Sequence, residues 1–374
     1  MKSQSFQRFF NFSRKDGPRD SRIGQSHDGS VVLRERSKSF GFLGPLLIVA
    51  RQGISWSPLR ILGQLWRLIT NVGIQREILS LLKLRPFDEI VQNYPGLAFK
   101  YVVPNYLARG FTLTERVSCF LHHYTRMHAA LPEDVLRNIL LGDVTFHKTS
   151  DGDNCFALTM GLARPHVDKE GEMSLNLEVN GKKVFSLCFT IVPGSVVQSA
   201  ATEVLLITRL QGTPRCNSQL KLARKALHDY SPRGLLLAAL QGVADAFEIG
   251  EIEAVCATRQ AAYAKETSDL LKSGYDDFFA RQGMVKTPAG FYSSSIPVEG
   301  KPLTSFKARD RSKARKRRAM RKQIQSACAT FLSGAADRAA DSSPGAECLA
   351  PVSRVVESES SLVSGPTPDY NLTL

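Results

Sequence analysis

The sequence predicts an α+β fold: an antiparallel or mixed central sheet with flanking helices, preceded by a helical region and followed by a basic helix. Three observations carry this. Near Val144 the spacing of apolar residues changes from about 3.6 to about 2, the mark of helix giving way to strand. Asn180-Gly181, flanked by alternating apolar residues, is a strong short-range hairpin signal. The stretch Leu205 to Phe247 reads as an apolar strand, a Leu-Gln-Gly turn, a basic helix, a Ser-Pro-Arg-Gly break and a strongly apolar helix.

From Ser57 to Leu84 apolar residues recur at helical spacing (Leu59, Leu62, Leu65, Trp66, Ile69, Ile78, Leu79, Leu82), and Pro86 closes that stretch. Thr114 is the expected N-cap of a helix over 115–131, with Val117, Phe120, Leu121 and Tyr124 on one face. Val144 onward predicts a hairpin turning at Asp151-Gly152-Asp153. A second, over 172–192, has Met173, Leu175 and Leu177 alternating with Ser174 and Asn176. Next are a strand over 203–210, a helix over 234–249 ending at Gly250, a strand in 252–258, a helix over 265–281 and a closing hairpin in 284–297. The expected divisions are a disordered basic arm (1–40), a mainly helical region (41–143), an α+β domain (144–300), a basic helix (301–333) and a disordered tail (334–374).

The net charge of +14 is uneven. Lys301 to Lys322 holds eleven Lys or Arg against Asp310 alone, and residues 1–40 hold nine basic against four acidic residues. The middle of the chain is near neutral, so the basicity belongs to two arms. Seven cysteines without a CxxC pair predict free thiols in a reducing compartment. Met1 to Lys15 has no apolar core of a secretory signal, and no apolar run approaches the roughly twenty residues of a spanning helix. A soluble or peripheral protein is expected.

Lys225 and His228, three apart on the expected basic helix, would share a face, Lys to bind a phosphate and His to act as base, with Arg209 and Arg233 closing the site. The alternative is a solvated basic face. His122, His123 and His128 lack the i, i+4 spacing of a zinc helix, so no metal is expected; one packs and another hydrogen-bonds. The basic run contains Lys313, Arg315, Lys316, Arg317, Arg318, Arg321 and Lys322 but only Phe306 as an aromatic. It therefore suits an anionic membrane surface, or RNA backbone bound without sequence preference, rather than base-reading recognition of RNA or DNA.

The order of elements from 144 to 296 resembles the Gcn5-related N-acetyltransferase (GNAT) architecture, although the Arg/Gln-x-x-Gly-x-Gly/Ala phosphate loop of that family is absent. The resemblance implies acyl or aminoacyl transfer from acyl-coenzyme A or an acyl carrier protein. Arg209, Gln211, Gly212, Lys225 and Arg233 would hold the anionic donor, and Glu172, Tyr275 and His228 would supply acid–base chemistry. Residues 94–325 also resemble the VirK/YbjX family of Gram-negative bacteria. The segments concerned include Tyr94-Pro95, Tyr106-Leu107, His122-His123-Tyr124, Glu170-Gly171-Glu172, Phe185 to Phe189, Leu210-Gln211-Gly212, Lys225-Ala226-Leu227-His228, Pro232-Arg233 and Tyr275-Asp276-Asp277-Phe278. That resemblance implies a role in virulence, surface-factor assembly and resistance to antimicrobial peptides. Some members of that family are linked to the membrane. Together with the basic run and the missing signal, this gives the expectation of a cytoplasmic protein peripheral to the inner membrane with envelope factors as partners; a non-catalytic scaffold and a non-specific RNA-binding protein are the alternatives. Where that family has a glycine after the histidine, this chain has Asp229.

Overall fold

A computed structural model describes residues 72–163, 170–298 and 302–334. The expectations for residues 1–71 and 335–374, including the two disordered ends and the helical run from Ser57 to Asn71, lie outside these. The helical region begins with α1 (Val72–Leu81) and α2 (Phe87–Asn93), separated at Pro86. A 3-10 helix (Pro95–Val102) leads to α3 (Leu113–Ala130) and α4 (Glu133–Leu141). The cap of α3 is Thr112 rather than Thr114. Its hydroxyl accepts the Glu115 N–H at 3.2 Å while the Glu115 carboxylate accepts the Thr112 N–H at 2.7 Å, a reciprocal capping box. Thr114 has no such partner three residues on.

The strands are β1 (Val144–Asp151), β2 (Asn154–Leu162), β3 (Met173–Val179), β4 (Lys182–Pro193) and β5 (Glu203–Gly212). Both expected hairpin turns form, with Asn180 and Gly181 at φ 51° and 75°. Next come α5 (Asn217–Ala226), α6 (Pro232–Phe247) and β6 (Glu251–Val255). The expected helix over 265–281 is broken into α7 (Ser268–Leu271), a π turn (Lys272–Asp276) and α8 (Asp277–Arg281). Strands β7 (Val285–Lys286) and β8 (Phe291–Ser295) precede the basic helix α9 (Ala308–Leu332). Among the described residues eight strands form one sheet in the order β1-β2-β3-β4-β5-β6-β8-β7. Every neighbouring pair is antiparallel except β5–β6. The fold is therefore α+β with a mixed central sheet.

β3 departs from its sequence pattern: the alternation predicts one wet face, yet Ser174 and Asn176 are buried. They satisfy each other and β4 instead, Asn176 donating to Ser174 Oγ at 3.3 Å and Ser186 to Asn176 Oδ1 at 2.8 Å. α6 is apolar nearly all round because it lies between the sheet and α9. α9 turns Ala314, Ile324, Cys328 and Leu332 inward. Gly242 of α6 permits the approach: a Cβ there would stand 2.3 Å from the Gln325 carbonyl and 2.8 Å from Cys328 Cβ.

The crossing of α6 and α9 leads to a test. Gly242→Val should destabilise the chain by about 3 kcal/mol in urea unfolding, since backbone has to move to admit a side chain. Gly250→Ala, where a Cβ meets nothing within 4 Å, should leave the midpoint unchanged.

Candidate functional site

Strands β5 and β6 pair only from Leu205–Ile252 to Ile207–Ala254. The cause of their parting lies on the other side of β5. Cys188 of β4 pairs with Arg209 and Phe189 with Ile207, which leaves Thr208 as the extra residue of a β-bulge. The Thr208 hydroxyl donates to the carbonyl of Glu170, and lies 3.2 Å from the Cys188 carbonyl. The segment before β3 thus crosses directly over the bulge. Gly171, at φ +141°, is required there, because a Cβ would come within 2.9 Å of both Thr208 Oγ1 and Cys188 Cβ.

Among the described residues β5 has no strand partner on the β6 side beyond the bulge, and the π turn takes that place. The Tyr275 hydroxyl accepts the Leu210 N–H at 3.3 Å. Tyr275 is buried, and its phenol is pushed well above the usual tyrosine range, first by burial and then by the charge of Glu170. The Glu170 carboxylate stands 3.4 Å from Arg209 Nε, which also donates to Gln211 at 3.1 Å. Arg233 occupies the first turn of α6, half-buried, with its guanidinium 5.6 Å over the Phe278 ring. Burial lowers its pKa, Tyr275 opposes that shift and Arg281 adds to it; an arginine in this position remains a cation. Ser231 caps the same turn through the Gly234 N–H at 3.1 Å. A carboxylate and a guanidinium therefore stand beside a neutral phenol where two strands part, and a second guanidinium, Arg233, adjoins that phenol from a helix N-terminus. This is a setting for an anionic ligand and for proton transfer.

The sequence-derived residues divide around this place. Arg209, Gln211, Arg233 and Tyr275 surround the parting of the strands. Gly212 lies against the ring of Phe185 and Leu220. Lys225 is exposed on α5, and His228 does not share its helical face. The helix ends at Ala226, and His228 is in the left-handed region at φ 54°. Glu170, in the segment Glu170-Gly171-Glu172 where the sequence points to Glu172 as the base, is the carboxylate at the gap.

Glu172 occupies a different place. It is fully buried, and its oxygens receive Lys100 at 3.2 Å, the Tyr106 hydroxyl at 2.5 Å and the Tyr124 hydroxyl. Lys100 also donates to the Gly171 carbonyl at 2.9 Å, and the Glu172 N–H reaches Thr190 Oγ1 at 3.1 Å. The histidines beside this cluster have separate tasks. His123 is buried, accepts the Ile191 N–H at 3.2 Å and is pushed down to about 3 by burial, so it is neutral. His122 pairs with Glu203 at 2.9 Å. A surface concavity at the far end of α6, lined by Asp245, Glu248 and Gln325 among others, contains none of the sequence-derived residues and no cation.

The basic run is helical, and its charges face two ways. Arg317 donates to the carbonyls of His228 and Asp229, Lys313 pairs with the Asp229 carboxylate, and Arg321 donates to Gln241 at 2.8 Å and to the Val298 carbonyl. Arg315, Arg318, Lys316 and Lys322 are exposed. Among the described residues no helix is long and apolar enough to cross a membrane.

The model of a protein family described as "Protein of unknown function (DUF535)" matches residues 64–330. The chain belongs to this family. The matched span of this DUF535 member takes in the described helical layer, the whole described sheet and nearly all of α9. Searches of curated proteins and of solved structures each gave no match.

Two buried carboxylates offer tests. Lys100→Met should cost about 3–5 kcal/mol in chemical denaturation, because Glu172 is left as an unpaired buried charge. Glu253 of β6 is 1% exposed with Oε2 unpartnered, and burial followed by Glu251 raises its pKa from 4.5 to about 7. Its contribution to stability is thus full below pH 4.5 and lost as pH rises through about 7. Glu253→Gln should stabilise the fold at pH 8 by up to about 3 kcal/mol, the gain vanishing towards pH 5 in thermal melts.

Proposed function

We propose that this DUF535 member is an acyl- or aminoacyl-transferase whose donor lies where β5 and β6 part. The observation that carries the reading is the bulge at Thr208, beside which the one parallel pair among the described strands ends and Glu170, Arg209 and Tyr275 come together, with Arg233 on the far side of Tyr275 at the start of α6. A strand order with a single parallel pair next to a closing hairpin supports the GNAT-like reading of the topology. In this reading Arg209, Gln211 and Arg233 hold the phosphates of acyl-coenzyme A or an acyl carrier protein. Gly212 keeps the end of β5 slim, and Lys225 meets the donor's outer part. Glu170 takes the proton of an amine or hydroxyl acceptor as it attacks the thioester carbonyl, and Tyr275 returns a proton to the departing thiolate. Glu172 serves by fixing the backbone on which Glu170 stands, and His228 lies outside the transfer step.

The wider setting rests on the likeness to VirK/YbjX proteins: a cytoplasmic protein, peripheral to the inner membrane, that supports surface-factor assembly and resistance to antimicrobial peptides. The exposed cations of α9 suit attachment to anionic lipid, worth about 1 kcal/mol per basic residue near the surface. They also favour the second reading, a non-catalytic scaffold that binds membrane or envelope factors, and RNA backbone remains a competing polyanion.

Calorimetric titration of the full chain with coenzyme A, short- and long-chain acyl-coenzyme A and an acylated carrier protein tests the first reading. Saturable binding is expected, weakened at least about tenfold by Arg233→Ala, since a charge-assisted hydrogen bond to a phosphate is worth about 1.5–3 kcal/mol. Tyr275→Phe should retain binding and lose turnover. If no donor binds while anionic vesicles do, and Arg315→Glu with Lys322→Glu abolishes that, the scaffold reading replaces it.

A further inference from the structure

The turn between α5 and α6 is built against local preference. His228 and Asp229 are consecutive residues in the left-handed region, φ 54° each, and neither is glycine. Such residues crowd Cβ against the following carbonyl, and a pair of them persists only where surrounding groups hold it. The holding side chains come from α9, more than eighty residues away in sequence. Arg317 spans the turn with Nε on the His228 carbonyl at 3.1 Å and a terminal nitrogen on the Asp229 carbonyl at 3.0 Å. Lys313 pairs with the Asp229 carboxylate, and the hydrogen bond between them, more than any other neighbour, holds that carboxyl below its usual range. On the α5 side the Asp229 N–H returns to the Arg224 carbonyl at 2.6 Å, so the turn is tied at both ends.

The chain passes directly from this turn into the first turn of α6. Tyr230 lies against Gly234, where a Cβ would be 2.7 Å from its ring, Ser231 caps the helix, and Arg233 points over Phe278. The direction in which the chain enters α6 is therefore set two residues before the cap, at Asp229.

We propose that Lys313 and Arg317 are positioning residues that latch the His228–Asp229 turn and thereby fix the first turn of α6, and with it Arg233, for the anionic donor. The assignment of the donor rests on the function proposed above; the latch itself does not. Because Lys313 and Asp229 are both about half exposed, at 46% and 50%, the latch is open to screening by salt and to competition by a polyanion that engages α9. Binding of an anionic surface to α9 and binding of the donor at α6 are consequently linked through one aspartate.

Hydrogen exchange of the full chain, read over residues 228–235, tests the latch without any ligand. Arg317→Ala should speed exchange there by about tenfold, the loss of hydrogen bonds of ordinary net strength, with the centres of α6 and α9 unchanged. Arg317→Lys keeps the charge but cannot span both carbonyls, and should exchange like Arg317→Ala. Lys313→Ala should give a smaller rise and remove the salt dependence of the parent. In an Asp229→Gly background, where the left-handed conformation is unstrained, Lys313→Ala should add nothing. Unchanged exchange in Arg317→Ala and Lys313→Ala, or full restoration by Arg317→Lys, overturns the latch. Dissociation constants for acyl-coenzyme A then test positioning: the same variants should weaken the donor with little change in melting temperature. If the donor binds the variants as it binds the parent while exchange is faster, positioning is wrong. If acyl-coenzyme A does not bind even the parent, the proposed function fails, and the exchange data alone decide whether α9 fixes the first turn of α6.

Discussion

The segment Glu170-Gly171-Glu172 joins the helical layer to the sheet, and each of its residues does so differently. Glu172 turns into the helical layer, where Lys100, Tyr106 and Tyr124 converge on one buried carboxylate. Its backbone N–H is held by Thr190 and its neighbour's carbonyl by Lys100. Gly171 crosses the β5 bulge at a distance no side chain permits. Glu170 is then delivered to the edge of the gap, beside Arg209 and Tyr275. A buried ion pair adds little net stability over an apolar substitute, but it is costly to break and admits few geometries. Here its worth is that of an anchor: three donors from the helical layer fix the place of one carboxylate, and its neighbour goes with it.

The bulge gives the anchor its consequence. Without the extra residue at Thr208, β5 would continue in register with β4 and remain available to β6 along its length. With it, the strands part after Ile207, and the freed Leu210 N–H needs a partner in a dry place. Tyr275 supplies that partner from a π turn, a feature that inserts one residue into a helix and re-aims the side chains after it. The phenol at the gap is thus paired to backbone, buried and neutral at once. Those properties arise from the hydrogen-bonding need of the sheet before any chemistry is considered.

Local signals are legible in the sequence and distant ones are not. Asn180-Gly181 fixes its hairpin with two residues, and the change of period at Val144 marks the first strand, because turn chemistry and alternation are written over a few neighbours. The cap of α3 lies two residues from its expected place because Thr114 precedes an apolar run just as Thr112 does, and only the reciprocal bond with Glu115 separates them. The burial of Glu172 depends on Lys100, 72 residues away, and on Tyr124, 48 away, so its sequence resembles an exposed turn. Lys225 and His228 look like neighbours on a helix because nothing local announces that the helix stops between them. The carbonyls that stabilise that stop are met by Arg317, on another helix.

α9 shows why net charge overstates a binding surface. In sequence, Lys301 to Lys322 carries eleven basic residues against one acidic, and all of them count equally towards a membrane or a polyanion. In the fold Lys313, Arg317 and Arg321 sit at i, i+4 and i+8 and therefore share one side. That side is turned to the α5–α6 turn and to Gln241, where Arg321 meets an amide that also accepts the Val298 N–H at 3.0 Å. These three cations satisfy carbonyls, a carboxylate and an amide oxygen of the neighbouring elements, so they belong to the packing of α6. Their long stems bring charge to polar groups while covering apolar surface. A helix this basic can be a structural element because its inner cations have oxygen partners and Ala314, Ile324, Cys328 and Leu332 supply the contact. Of the exposed residues, Arg315, Lys316 and Lys322 are the ones whose charge can act at a distance. Any polyanion that draws on Lys313 as well must do so in competition with Asp229.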